Sequence, residues 1–183
     1  MHRTFLTMAI STLSRFELTK LQALTAGALG NSEKGFDVRL SDTGTAVPTS
    51  PFITLREISA LELGLPNRKQ IDADTEEISQ HVELQVSVQA FGHGAMHVLR
   101  AYAAWLGSTP GMSGLSGIGT SCPRYTLPRN VSEGIPGGWE ERAVMTLTLS
   151  HTDRYRISQN DMQEFPITVT DGSNSISFTV HED

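Results

Sequence analysis

The chain has 183 residues, of which 38% are hydrophobic and 19% charged, with 14 Lys and Arg set against 20 Asp and Glu. No apolar run reaches the roughly 18–20 residues that a membrane-spanning helix needs. The best candidate, residues 21–29, is broken by Gln22, Thr25 and Gly27, which excludes a helical integral membrane protein. A formal charge of −6 argues against a protein whose main task is to grip phosphate backbones. A single cysteine, Cys122, excludes an internal disulfide framework and a Cys-rich zinc module. The opening Met1-His2-Arg3-Thr4 lacks the basic, apolar and small-residue order of a signal peptide, so a reducing cytosolic setting is expected. The length suggests one domain with an appendage.

Residues 3–29 read as helix, because Leu6, Ile10, Leu13, Leu21 and Leu24 gather on one side of a 3.6-residue period. Ser11, Thr12, Ser14 and Thr19 weaken that helix and allow a break near Phe16, and Gly27, Gly30 and Asn31 supply its stop. A loop rich in Ser, Thr, Gly and Pro covers residues 31–50, with a short strand at 36–40. Pro51 opens an extended strand over 52–58. The clearest pattern spans 81–91, where Val82, Leu84, Val86, Val88 and Ala90 alternate with Glu83, Gln85, Ser87, Gln89 and Phe91. Such alternation places one apolar face on a core and turns the other to solvent or a partner.

Gly92-His93-Gly94 ends that strand, and residues 95–106 return to helical spacing with Ala95, Val98, Leu99, Tyr102 and Leu106 on one side. The small, glycine-rich stretch 107–119 reads as a flexible loop, followed by a short strand at 120–125. Residues 139–151 form a second alternating strand, with Ala143, Met145, Leu147 and Leu149 on one face. Segments 165–170 and 175–180, joined by Asp171-Gly172-Ser173-Asn174, read as a β-hairpin. Strands adjoining in sequence predict an α+β fold: a mainly antiparallel sheet covered by two helices, with a C-terminal β-hairpin extension.

Candidate chemistry is sparse. His93 and His97 lie four apart on one helical face, but a zinc site needs a third ligand, and no Glu stands between them as in the metalloprotease pattern. Cys122 precedes Pro123 on a short strand without a glycine-flanked elbow and reads as a structural thiol. Gly114, Gly117 and Gly119 form G-x-x-G-x-G with no following Lys, which meets neither phosphate-loop pattern. No cofactor is expected, and a metal-dependent small α+β enzyme using His93, His97 and Cys122 stands as the alternative from a different class.

Charge placement is more telling. Residues 71–83 carry Asp72, Asp74, Glu76, Glu77 and Glu83, and residues 157–183 carry Asp161, Glu164, Asp171, Glu182 and Asp183, neither with any Lys or Arg. These are either solvated loops or acidic surface, meeting a basic partner or lining a passage through which DNA slides without sticking. The block Trp139-Glu140-Glu141-Arg142 has two readings of equal standing, a subunit-contact anchor and a partly buried tryptophan where a strand begins.

Three segments then carry a family likeness. They are Pro51-Phe52-Ile53-Thr54-Leu55, the strand end Val86-Ser87-Val88-Gln89-Ala90-Phe91-Gly92 leading into Gly94-Ala95-Met96-His97-Val98-Leu99, and Trp139-Glu140-Glu141-Arg142-Ala143-Val144-Met145-Thr146-Leu147-Thr148-Leu149. In this order, over about residues 51–151, they resemble the neck and tail-terminator proteins of tailed bacteriophages. In that group a P-[YF]-I-T strand, a [ST]-[IV]-Q-x-[FY]-G strand end and an E-R-A-x-[LM]-x-[LV] strand recur in the same sequence.

The resemblance implies a structural virion protein at the head–tail junction, assembled in the host cytoplasm. Its subunits would form a homo-oligomeric ring, a hexamer, that caps the tail tube and joins tail to head. Implied partners are the protein itself, the tail tube protein, a sheath, and a head-completion or adaptor protein. Genomic DNA would pass through the lumen without specific binding, with no membrane and no catalysis. A head-completion subunit of the same neck is the close variant. Residues 1–156 would be the terminator-like domain and 157–183 an acidic arm that reaches a neighbouring protein. The expected interface residues are Glu83, Gln85 and Gln89 on the polar strand face, Trp139, Glu140 and Arg142 at the strand start, and Phe165, Ile167 and Phe178 on the arm.

Overall fold

The computed structural model of the chain describes residues 9–29, 35–41, 51–136, 138–158, 164–171 and 174–181. In chain order the elements are β1 (Ala9–Ser14), α1 (Leu18–Leu29), β2 (Asp37–Leu40), β3 (Phe52–Asp72), β4 (Thr75–Phe91), α2 (Ala95–Leu106), α3 (Thr109–Gly117), β5 (Ser121–Tyr125), β6 (Arg129–Asn130), β7 (Glu133–Ile135), β8 (Gly138–Glu140), β9 (Arg142–Ser158), β10 (Glu164–Asp171) and β11 (Asn174–His181). The fold is α+β with a mostly antiparallel sheet, as the order of strands and helices predicts. No helix among the described residues is long and apolar enough to cross a membrane.

The sheet is built on β4. It pairs antiparallel with β9 in unbroken register from Thr75↔Ser158 to Phe91↔Arg142, and antiparallel with β3 from Asp72↔Thr75 to Phe52↔Phe91. The β3–β4 ladder is irregular between Glu57 and Ser59, Leu63 and Asn67, and Gln70 and Asp72. Gly64, with φ +71°, occupies the second of these irregularities, a conformation that favours glycine. Beyond β3, β2 adds a short parallel pairing of Asp37–Leu40 with Phe52–Leu55. The far edge of β9 carries three short strands in turn: β6 opposite Val144 and Ala143, β5 opposite Leu147–Ser150, and β1 opposite Arg154–Ser158. Strands β7 and β8 pair with each other, as do β10 and β11.

Alternation in β4 and β9 produces the core. Leu84, Val86, Val88 and Ala90 meet Ala143, Met145, Leu147 and Leu149, joined by Ile53 and Leu55 of β3, in one cluster that also takes the buried faces of the helices. Helix α2 contributes Val98, Leu99 and Tyr102, α1 contributes Leu21 and Leu29, and α3 contributes Leu115. The fully buried Tyr102 hydroxyl and Thr25 Oγ1 share a hydrogen bond of 2.9 Å that ties α2 to α1. Burial pushes the Tyr102 phenol up to about 12, so it stays a neutral partner.

Several elements differ from the sequence pattern for physical reasons. Residues 9–14 form a strand rather than the first turns of a helix, because their Ser-, Thr- and Ile-rich backbone finds partners on β9. The helix begins only at Leu18. The stretch expected as a flexible loop contains α3, a third helix. Ser108 caps it by accepting from the Gly111 amide at 3.2 Å, and Pro110 lies in the first turn. Residues 71–83 are the tip of a long hairpin rather than a loop, with Glu77 opposite Lys69 and 3.9 Å from Arg156. The strand over 52–58 continues to Asp72, and the strand over 139–151 divides at Glu141.

Two buried polar groups on β9 complete the interior. His151 Nε2 lies 3.3 Å from Asp153 Oδ1, and its ring packs against Phe16 with centroids 5.3 Å apart. His151 Nδ1 has no hydrogen-bond partner. Burial holds the His151 pKa below its ordinary 6.5, with Asp153 pulling the other way.

Two predictions follow from this interior. At Gly111 a Cβ would sit 2.0 Å from the Trp105 carbonyl oxygen, so Gly111→Ala is expected to destabilise the fold by about 2–3 kcal/mol. Gly117→Ala, where a Cβ meets nothing within 4 Å, should be neutral or slightly stabilising by comparison; thermal melting of both variants checks the contrast. For His151, the depressed pKa means the unfolded chain takes up the proton first. Its contribution is therefore complete above pH 6.5 and declines as pH falls below that value. Melting curves between pH 8 and 5 should fall more steeply for the natural chain than for His151→Gln.

Candidate subunit interface

The long hairpin of β3 and β4 outruns the core. β2 leaves β3 at Leu55, and every residue of β3 from Arg56 to Asp72 is exposed. Over that length the inner edge of β3 pairs with β4, while its outer edge meets no strand among the described residues. Exposed backbone of this kind presents unpaired N–H and C=O groups that template another strand. Apolar side chains accompany it: Ile58 is 54% exposed, Leu61 60% and Leu65 94%.

The opposite margin of the same sheet is also open. β1 pairs with β9 on one side and with no strand on the other among the described residues. It exposes Ile10 and Leu13. A single row crosses the sheet here, with Ser11 opposite Arg156, Arg156 opposite Glu77 and Glu77 opposite Lys69. Three successive antiparallel pairings leave β1 running opposite to β3. Two copies set side by side in the same orientation therefore bring β1 of one against β3 of the next in antiparallel sense.

A second exposed apolar group lies around β6, β7 and β8, comprising Leu127, Val131, Ile135 and Trp139. It is held in place by Arg142. That guanidinium bonds Glu140 Oε2 through Nε at 2.6 Å, forms an ion pair with Glu133, and lies 5.3 Å above the Phe91 ring. Phe91 in turn stacks on Phe52 with centroids 4.6 Å apart. Glu141 accepts a hydrogen bond from the Gly94 amide at 2.5 Å and contacts His93 Nδ1 at 3.3 Å. It thereby fixes the turn in which Gly92 and Gly94 adopt φ of 97° and 85°.

The residues singled out from sequence are dispersed among these features. Gln85 is exposed, Gln89 is half-buried and donates to Ser87 Oγ at 3.3 Å, and Glu83 pairs with Arg124 of β5. Glu140 and Arg142 bind each other, leaving Trp139 as the outward member of its block. Phe165 opposes Val180 and Ile167 opposes Phe178 in the β10–β11 pairing; their side chains lie outside the described residues. His93 and His97 are exposed, and among the described residues no three His, Cys, Asp or Glu side chains come together to hold a metal. Burial pushes the Cys122 thiol up to about 11, so near neutral pH it is not a thiolate nucleophile. Sequence reasoning missed the β3 edge, although Leu61, Leu63 and Leu65 alternate with Glu62 and Gly64.

A family described as phage neck terminator protein matches residues 18–174. No curated protein matches the chain. The matched span starts with α1, takes in the whole of β3, β4 and β9, and ends at the first residue of β11. It thus extends well beyond the 51–151 segment that carries the motifs. The chain belongs to the phage neck terminator protein family, structural proteins associated with the head–tail region of the virion.

Proposed function

We propose that the chain is a tail terminator subunit whose copies close into a hexameric ring, cap the tail tube and join tail to head. One observation carries this reading: among the described residues the sheet is open at both margins, at β3 beyond Leu55 and at β1, and the two strands run in opposite senses. Joining unlike edges is a heterologous contact, and such contacts between identical copies generate closed rings when the rotation closes. The exposed Leu61, Leu65, Ile10 and Leu13 would be buried in that contact. Trp139 with Leu127, and the polar strand face around Gln85 and Gln89, supply further surface for the tube protein, a sheath or a head-completion protein. Glu83, Glu140 and Arg142 shape that surface from within the subunit, and Phe165, Ile167 and Phe178 belong to the arm that reaches a neighbour.

In this reading the helices that share the core cluster cover the ring's subunit on one face of the sheet, residues 1–156 form the body and 157–183 an extension. The subunit carries no chemistry of its own, and the genome passes through the lumen.

Mass photometry of the purified chain and negative-stain imaging of the chain mixed with tail tubes test the ring. A hexamer, or ring density at one tube end only, is expected. The double variant Leu61→Lys with Leu65→Lys should keep the melting temperature of the natural subunit, since both residues are exposed, while weakening association at least about tenfold. A natural chain that stays monomeric and leaves tube ends bare contradicts the proposal.

A further inference from the structure

Between the turn after β1, the end of α3 and the middle of β9 lies a cleft of about 660 Å³. Its lining includes Arg15, Lys20 and Arg154, with His81 and His151 between them, and no Asp or Glu. On a chain of net charge −6, a base-lined hollow is a local reversal of sign. Arg15 and Arg154 are exposed and form no ion pair among the described residues. Lys20 has only a loose contact with Glu17 at 3.7 Å. Two rim hydroxyls are engaged within the chain. Ser150 Oγ lies 2.9 Å from His81 Nε2, and Thr120 Oγ1 donates to the Ser150 carbonyl at 3.0 Å.

His151, 8% exposed, forms part of the cleft wall, and its Nε2 faces Asp153 Oδ1 at 3.3 Å.

We propose that this cleft receives the acidic C-terminal arm, residues 159–183, of a neighbouring copy. The proposal rests on the ring reading above. Charge complementarity selects the occupant: the arm carries Asp161, Glu164, Asp171, Glu182 and Asp183 with no Lys or Arg, and the cleft carries cations with no acid. Among the described strands, β10 and β11 pair with each other and not with the main sheet. The arm departs at Ser158, opposite Ala9, whereas the cleft lies at Arg154, opposite Ser14. The chain therefore leaves β9 past its own cleft. Carboxylates seated between Arg15 and Arg154 gain charge-assisted hydrogen bonds in a partly enclosed site, and each subunit is strapped to the next by an element separate from the strand edges.

A charge swap between full-length chains tests this. One variant carries Arg15→Glu and Arg154→Glu, the other Asp161→Lys and Glu164→Lys. Each alone should raise the dissociation constant for self-association about tenfold or more, with its melting temperature unchanged. An equimolar mixture should recover assembly, because each acidic arm then meets a basic cleft and each basic arm an acidic one.

Variants that assemble as well as the natural chain overturn the proposal while the ring stands. Recovery only when all four changes share one chain would place the arm in its own cleft and overturn the neighbour assignment. If Arg15→Glu with Arg154→Glu assembles normally but loses binding to a duplex DNA oligonucleotide, the cleft serves phosphate and the proposal fails. A natural chain that neither self-associates nor forms ring density on tube ends refutes the ring reading itself.

Discussion

Strand β4 is hydrogen-bonded along both edges, to β9 on one side and β3 on the other, and every other part of the sheet is positioned from it. Its alternation sorts Val82, Leu84, Val86, Val88 and Ala90 onto the buried face. The continuous register with β9 stacks those residues against Ala143, Met145, Leu147 and Leu149, in a buried cluster that also includes residues of the helices. Shifting that register by one residue would exchange the faces of the whole strand, so pairing and core formation are one event. Polar ties between elements add to this core, with Thr25 to Tyr102 joining two helices and Glu141 locking the turn before α2.

The same geometry creates the outer edges. β4 and β9 are long enough to carry β3 and β1 past the helices, where no core awaits them. An edge of this length would aggregate unless guarded. On β3 the guard is local: Gly64 and Pro66 sit at the irregularity between Leu63 and Asn67, and proline cannot donate to a ladder. They divide the edge into a stretch around Ile58–Leu63 and a stretch around Asn67–Ile71. A partner strand must match that interruption, which favours one register over indiscriminate pairing. Arg68 and Lys69 add charge on the outer stretch. Edges that are open yet guarded in this way suit a protein that stores as a subunit and joins only in a defined array.

Much of this was legible in the residues. The alternation over 82–90 located β4, the spacing of Val98, Leu99, Tyr102 and Leu106 located α2 with its observed limits, and the segments around Pro51, Gln89 and Arg142 pointed to the family. What misled was coincidence of period. Ile10 and Leu13 are three apart and fit a helix stripe, but Ile10 pairs with Ile157 and Leu13 sits at a bulge in the same ladder, a partner strand nearly 150 positions away that no local pattern reveals. α3 was hidden by Gly111 and Gly114, which weaken any helical signal. Gly111 is there because the helix crosses the Trp105 carbonyl too closely for a Cβ. The capping dyad Ser108 and Pro110 was the available clue. The basic cleft was invisible for the same reason as β1: Arg15, Lys20, His81 and Arg154 come from separate elements and meet only once the sheet forms.

Amide hydrogen exchange along β3, measured for the separate subunit and for the assembled ring, is the most direct test of edge-to-edge joining. In the subunit, outward amides between residues 57 and 71 should exchange rapidly while those bonded to β4 are protected. On assembly, the outward amides of β3 and those of β1 should slow together, leaving Leu127 and its surroundings unchanged. A ring in which the outer edge of β3 exchanges as fast as in the subunit would show that its copies are joined through some other surface.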